Sequence, residues 1–400
     1  MYCKRLVINF QSFLPMKIYL ALLCAFLFMT PSMAQDKASP LNMDLNKVQY
    51  KIEIPDMKDS TSIRYSDIYS NVQTIMLEAP NNDAIVGTIS KMEITNDGDI
   101  ILLDDINGKV VRYDSCGHFL NLIGAKGHGP NEYVDPRAMC YDKYDNQVLI
   151  WDHGTAKILF FDIKGKVQKK LAAPYPWDME VIGPYQLLYF YDYPKEKSLY
   201  NYLIVTKNGK EVSKFEYIPD ASSLNERPST TTVFRYSDND ALLCRSALSS
   251  IIYKAQEGKV SPYIELTSKD NNWAIGRPEK IEKTYEKQYN ANILNVLVAN
   301  GKVLIDGYHF KDEYPFVYYN DMKGHIRAGQ KVINDMEGFV SWICVIQSKG
   351  SKIYYYVNPD DYAALAKSWK NRQDIPQSDK DFVSKLANSA NPIIQVCTVK

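Results

Sequence analysis

Six polar residues stand at the ends of short apolar runs along this 400-residue chain: Asp104, Asp152, Asp192, Arg245, Asp306 and Asn358. Carboxylates and an amide gathered at one point make the oxygen-rich shell that a hard cation such as Ca²⁺ prefers, and an arginine beside them sets a polarity across the site. Asp104, Asp152, Asp192 and Asp306 are thus candidate metal ligands, with Asp105 beside the first. Aspartate has a second use, because it closes a strand by accepting bonds from nearby backbone N–H groups. Of five histidines, His153 follows Asp152 and His309 lies three residues after Asp306, so these two are the candidate acid–base groups. There is no histidine pair at helical metal spacing and no Gly-x-Ser-x-Gly elbow.

A second cluster is the loop Gly127-His128-Gly129-Pro130-Asn131-Glu132-Tyr133, followed by Arg137. Its glycines are too irregular for a phosphate cradle, and no strand-to-helix context follows. The plainer reading is a Gly-Pro turn in which Glu132 bonds backbone and Tyr133 packs between sheets. His128, Glu132, Tyr133 and Arg137 are expected on the same face as the strand-end residues.

The elements that must position these groups repeat. Asp97-Gly98-Asp99-Ile100-Ile101-Leu102-Leu103-Asp104 returns 48 residues later as Asp145-Asn146-Gln147-Val148-Leu149-Ile150-Trp151-Asp152, and Lys109–Asp114 returns as Lys157–Asp162. Short apolar strands repeating at this length are the mark of β-propeller blades. Glycine turns after the third strand, at Gly117, Gly165, Gly209, Gly258 and Gly324, mark five blades. The segment 277–292 interrupts the series and reads as a short charged helix. The sixth blade is assembled from both ends of the chain: Gly338–Gln347, Lys352–Val357 and Pro392–Val399 from the C-terminus, and Val72–Glu78 from the N-terminus. Sharing a blade hides sheet edges that an open array would expose. A helical pair, Asp361–Lys370 and Asp379–Ala387 with Ser378 as its N-cap, is inserted within 359–390. The expected class is all-β: a six-bladed propeller over 71–400, after an extension at 35–70.

The chain resembles the exported bacterial six-bladed β-propellers distantly similar to NHL-repeat proteins. The likeness is carried by Ile123-Gly124-Ala125-Lys126-Gly127-His128-Gly129-Pro130-Asn131-Glu132-Tyr133, by the blade through Gly165, and by the strand after Asn391-Pro392. It implies architecture and export; most such proteins have no assigned reaction.

Ile18–Met29 is an apolar run preceded by Lys4, Arg5 and Lys17 and followed by Ser32-Met33-Ala34, the pattern of a secretory signal peptide ending at residue 34, with Met1 or Met16 as the start. Leu23 stands where lipoprotein processing needs a small residue, which argues against a lipid on Cys24. No later run reaches the roughly 18 apolar residues of a membrane helix. Removing 1–34 takes three basic residues from 47, leaving 44 against 47 acidic ones, a net of −3. No cationic excess recommends nucleic acid. The remaining cysteines, Cys116, Cys140, Cys244, Cys344 and Cys397, read as buried free thiols, and the 30 tyrosines as half-buried sheet residues.

The leading expectation is an exported, non-catalytic binding propeller of the periplasm or cell surface, without a cofactor. Its loop-rich face, lidded by the helical pair, would engage a protein or glycan of the envelope. The alternative is a metal-assisted hydrolase or lyase on that face, with Ca²⁺ among the aspartates and His153 or His309 as acid–base group.

Overall fold

Short strands whose apolar positions are buried on both faces need covering sheets on both sides, and a closed ring of sheets supplies them. A computed structural model of the protein describes residues 38–55, 62–173, 175–191, 200–217, 234–237, 241–246, 249–268, 291–309, 314–336 and 344–400. Six antiparallel sheets form the blades of a propeller. Blade one runs Lys91–Ile94, Ile100–Asp104, Lys109–Tyr113, Phe119–Leu122, and blade two Pro136–Asp142, Gln147–Asp152, Lys157–Asp162, Val167–Ala172. Blade three runs Asp178–Gly183, Gln186–Phe190, Tyr200–Thr206, Glu211–Tyr217, and blade four Phe234–Tyr236, Leu242–Cys244, Ile251–Gln256, Lys259–Ser268. Blade five runs Ala291–Ala299, Lys302–His309, Tyr314–Asn320, Ile326–Gly329.

Blade six joins the two ends, as the sequence implied. Cys344–Lys349, Lys352–Val357 and Ile393–Val399 are completed on the outside by Tyr69–Met76, which pairs antiparallel with the last of them from Ile393↔Met76 to Val399↔Tyr69. The inner strand is described from Cys344 on, and 337–343, where the sequence starts it at Gly338, lie outside the described residues. So does the expected helix at 277–292, apart from 291 and 292, which are strand.

The core is six apolar layers, one at each seam between blades. Met92, Leu102 and Val111 of blade one meet Ile75, Ile394 and Val396 of blade six, and Ile101, Leu103 and Val110 meet Met139, Val148 and Phe161 of blade two. Each such side chain contributes about 1.5–3 kcal/mol by leaving water. The tyrosines serve mainly here: Tyr113, Tyr133, Tyr189, Tyr202, Tyr253 and Tyr318 are fully buried.

The five turn glycines all have positive φ, from 76° to 105°. In four of these turns a side-chain oxygen four residues before the turn's exit accepts two backbone N–H bonds: Asp114 from Cys116 and His118, Asp162 from Lys164 and Lys166, Thr206 from Asn208 and Lys210, Asp321 from Lys323 and His325. Gly117 has a further constraint, because a Cβ there would lie 2.3 Å from the Met76 carbonyl of blade six. Cys140, Cys244 and Cys397 are buried free thiols; Cys116, in the first turn, is instead exposed because the turn faces water.

The extension before blade six is structured. Ser39–Pro40 adds in parallel to the outer strand of blade three, Tyr50–Ile54 to that of blade four, and Ser62–Arg64 pairs with Lys331–Ile333 just after blade five. Ile52, Ile54 and Ile63 are buried while their neighbours Lys51, Glu53 and Arg64 face solvent. The segment is a strap over the outer edges of blades three and four and over the strand that follows blade five, all of which would otherwise present unpaired backbone.

Two helices, α1 (Pro359–Trp369) and α2 (Gln377–Ala387), form the insertion. Pro359 takes the first helical position, where its missing N–H costs nothing. Pro376, and not Ser378, sits at the N-cap of α2, so Ser378 lies inside the first turn. Tyr362, Val383 and Leu386 pack on Val357, Ile393 and Met76, and Gln395 Nε2 donates to the Tyr362 hydroxyl at 2.8 Å. The pair is seated on its own blade, over strands two to four, where its apolar face is consumed; these contacts do not place it as a lid. Among the described residues no helix is long and apolar enough to cross a membrane.

Asn391, fully buried, fastens the ring. Its Oδ1 accepts from Val86 N at 2.8 Å, and its Nδ2 is shared among Ala84 O at 2.8 Å, Glu78 O at 3.1 Å and the Tyr113 hydroxyl at 3.2 Å. One amide therefore ties blade six to blade one and to the linker between them. Asn391→Ala, which strands the Val86 N–H in an apolar seam, is expected to cost about 2–3 kcal/mol in chemical denaturation. The exposed control Asn388→Ala should stay within about 0.5 kcal/mol of the parent.

Candidate functional site

Loops between strands two and three, and those leading to the next blade, emerge on one face of the ring, and the strand-end residues are distributed along it. Asp104 and Asp152 are fully buried. Asp104 Oδ2 accepts from Gly87 N and Asn107 Nδ2, both at 2.7 Å, while Oδ1 accepts from Asn107 N at 3.0 Å. Asp152 Oδ1 accepts from Val134 N at 3.1 Å and Asp135 N at 2.8 Å, and Oδ2 takes the Thr155 hydroxyl at 2.6 Å. Each carboxylate is consumed in clamping its own strand end to the loop entering its blade. This is the aspartate's second use, extended from a local turn to an interblade clamp.

Arg245 is also buried, donating Nε to Ser249 O at 2.8 Å and Nη1 to Ile293 O at 3.2 Å, and burial lowers its pKa to about 10. Asp306 accepts from Asn295 Nδ2 at 2.8 Å, and Arg235 Nη2 donates to Asn295 Oδ1 at 2.7 Å. Burial pushes the Asp306 carboxyl up to about 6, against the opposing pull of Asn295 and Arg235. Asn358 stands exposed at the start of α1. Asp192 and the His309 side chain lie outside the described residues. Among those described, no three His, Cys, Asp or Glu side chains come together as a ligand set for a metal ion.

The loop at 127–133 is self-contained. Glu132 Oε2 accepts from Gly129 N at 2.6 Å, Gly127 N donates to Tyr133 O at 2.9 Å, and a Cβ on Gly127 would collide with the Glu132 carboxylate at 2.0 Å. Tyr133 is buried, its hydroxyl accepting from Val110 N at 3.1 Å and its ring edge-on to Phe161. His128 is exposed beside this loop.

What the fold does bring together is a band across blades one to three. Arg137 Nε lies 2.8 Å from Asp135 Oδ1, and its Nη1 lies 3.7 Å from Asp105 Oδ2 of the preceding blade. The other oxygen of Asp135 is 3.3 Å from His153 Nδ1, and the His153 ring sits 5.7 Å from that of Tyr175, edge to face. Trp177 follows two residues later in the same interblade loop. Tyr175 is 63% exposed and Trp177 52%, whereas most of the large rings of the blades fill the seams. Tyr175 also has φ +24°, a conformation an L residue rarely adopts. Buried Asp152 holds the backbone of Asp135 from below. Gly154 lets the two loops approach, since a Cβ there would lie 2.7 Å from that of Val134.

Asp105, Arg137 and His153 are among the residues the sequence assigns to a ligand face; Asp135, Tyr175 and Trp177 are not. The available signal was Pro174-Tyr175-Pro176-Trp177, two aromatics set between prolines in an interblade loop.

A second polar cluster fills the axis. Lys91 Nζ of blade one meets Asp178 Oδ1 at 2.7 Å and Glu180 Oε1 at 2.8 Å, both of blade three, with Glu93 at 3.9 Å; the Tyr236 hydroxyl of blade four donates to Glu180 Oε2 at 2.7 Å. All four charged residues are at most 5% exposed. Burial alone would lower the Lys91 pKa, yet the three carboxylates more than reverse this and raise it. Burial, then the charge of Glu180, drive the Glu93 carboxyl well up. Lys91 is the built-in counter-ion of this cluster.

Two outcomes follow from these buried charges. Lys91→Met removes the cation that ion-pairs with three buried carboxylates and is expected to cost about 3–5 kcal/mol near neutral pH. The deficit should shrink as the pH falls and the carboxyls take up protons, as read from denaturation midpoints. For Asp306, with its folded pKa raised from 3.8 to about 6, the folded chain holds more protons than the unfolded one across that window. Stability should therefore fall as pH rises from 4 to 6. Asp306→Asn should flatten that part of the curve of melting temperature against pH, and an unchanged slope would contradict the assignment.

A protein of Bacteroides fragilis NCTC 9343 described as exported is similar in structure, with a TM-score of 0.63, 13% identity, and 88% of this chain aligned to 99% of that one. That likeness shows the fold alone. A member of the DUF4221 family from Bacteroides vulgatus aligns over 83% of this chain and 97% of its own, at 8% identity and a TM-score of 0.45. Virginiamycin B lyase of Staphylococcus aureus aligns over 82% and 99%, at 11% identity and a TM-score of 0.41. No curated protein matches the chain. The family described as "Domain of unknown function (DUF4934)" matches residues 49–398, from the strap to the closing strand, and the chain belongs to that family.

Proposed function

We propose that this protein is an exported propeller acting as a non-catalytic binding module of the cell envelope, through the band Asp105, Arg137, Asp135, His153, Tyr175 and Trp177 on its loop-rich face. The observation carrying this reading is the exposed ring of Tyr175 packed edge to face on His153 of a linked charged network, with the exposed ring of Trp177 two residues on in the same loop. Loops on a rigid frame are where binding residues concentrate, and aromatic and arginine side chains are the usual anchors. Export is supported by the basic and apolar leader ending near Ala34, and by the B. fragilis relative described as exported. The hydrolase alternative requires Asp104 and Asp152 as cation ligands, and their oxygens are occupied by backbone N–H groups and Thr155.

The protein from residue 35 onward, immobilised and exposed to an envelope extract, should retain a component that Trp177→Ala or Arg137→Ala retains at least about 30-fold more weakly, the scale of a binding hot spot. Tyr185→Ala, at a 77% exposed ring in a turn of the opposite face, should bind as the parent does. Equal retention by all four proteins would overturn the reading.

A further inference from the structure

The chemistry of this band points to a ligand class, an inference that rests on the binding reading above. We infer that the surface formed by Tyr175, Trp177, His153, Asp135, Arg137 and Asp105 binds a neutral glycan. A sugar ring presents two demands at once: a flat face of C–H groups that stacks on an aromatic ring, and a rim of hydroxyls that need both donors and acceptors in fixed directions. The exposed rings of Tyr175 and Trp177 meet the first. The second is met by a planar guanidinium, two carboxylates and an imidazole joined in sequence at 3.7, 2.8 and 3.3 Å, all with exposure between 28% and 56%.

The charge arrangement selects among ligands. Arg137 lies between two carboxylates, so an acidic ligand would have to displace one of them and meet the repulsion of the other. A cationic ligand would compete with Arg137 for the same oxygens. Hydroxyl groups can join the network as donor to Asp135 and acceptor from Arg137 while leaving every charge paired, which avoids an unpaired desolvated ion. A protein partner would call for a wider apolar centre than the two rings and Ile106 supply among the described residues. The surface is also pre-set. Asp152 and Gly154 fix the Asp135 backbone, and prolines flank Tyr175, so little ordering remains to oppose binding.

The test uses the protein from residue 35 onward and the same envelope extract, divided into portions treated with periodate, which cleaves vicinal diols, or with protease. Loss of retention after periodate and survival after protease is the expected result. Retention should also be competed by soluble neutral polysaccharide (mannan, xylan or dextran) and unaffected by polygalacturonate. Trp177→Ala and Tyr175→Ala, verified as folded by unchanged thermal melting, should each weaken retention at least tenfold. Retention abolished by protease and resistant to periodate would overturn the glycan inference and leave the binding reading standing. Competition by polygalacturonate alone would overturn neutrality as the selecting feature. Retention lost in neither treatment would overturn the glycan inference and leave the binding reading standing; retention absent from the start would remove both.

Discussion

The structure depends on the antiparallel pairing of Tyr69–Met76 with Ile393–Val399. No blade of a propeller buries both its faces alone; each relies on a neighbour on either side, so the ring is stable only when its first and last members meet. Here the meeting is made inside one sheet, with the outermost strand supplied by the N-terminal part of the chain. Asn391 then adds hydrogen bonds from that sheet to the linker and to Tyr113 of blade one. The strap before Tyr69 continues the same logic outward, covering the edges of blades three and four and the segment after blade five. Long-range closure of this kind, between strands more than 300 residues apart, carries its loop-closure entropy before any contact rewards it.

Closure fixes the blades, and buried aspartates fix what lies on them. Asp104 and Asp152 occupy equivalent places in the repeat and do equivalent work, each holding the incoming loop by its backbone amides. A carboxylate accepting several N–H bonds in a dry seam is well satisfied and rigid. Rigidity passes upward from Asp152 to Asp135, from Asp135 to Arg137 and His153, and from His153 to the ring of Tyr175. The repeat element that builds the frame thus also presents the surface.

The axis follows a different rule. Inner strands converge there from all sides, and their side chains include Lys91, Glu93, Asp178 and Glu180, which none of the blades could bury alone. Cross-axis pairing meets their desolvation and links blade one to blade three, with blade four joined through Tyr236. Replacing such a cluster with apolar groups often preserves stability; what its polar contacts add here is a direct link among blades one, three and four. The short pocket at the turn-side end of the axis, lined by Glu93, Tyr141, Tyr236, Gln347 and Lys349, is the outer end of this same cluster.

The period of 48 residues, the turn glycines and the apolar runs on both sides of the chain determined the blade count, the shared sixth blade and the helical insertion, because these are local patterns whose only satisfactory closure is a ring. The structural role of Glu132 and Tyr133 was legible for the same reason: Gly-Pro turns and short-range bonds are set within a few residues. The alternation Tyr50-Lys51-Ile52-Glu53-Ile54 was visible too, but its partner, over 200 residues away, was not. The band at the loop-rich face is decided by tertiary structure alone. Asp105, Arg137, His153 and Tyr175 come from four different loops or strand ends, and whether an aspartate at a strand end turns inward to bond amides or outward to face a ligand depends on how the next blade's loop approaches it. That approach is fixed by packing between blades, which no single stretch of sequence records.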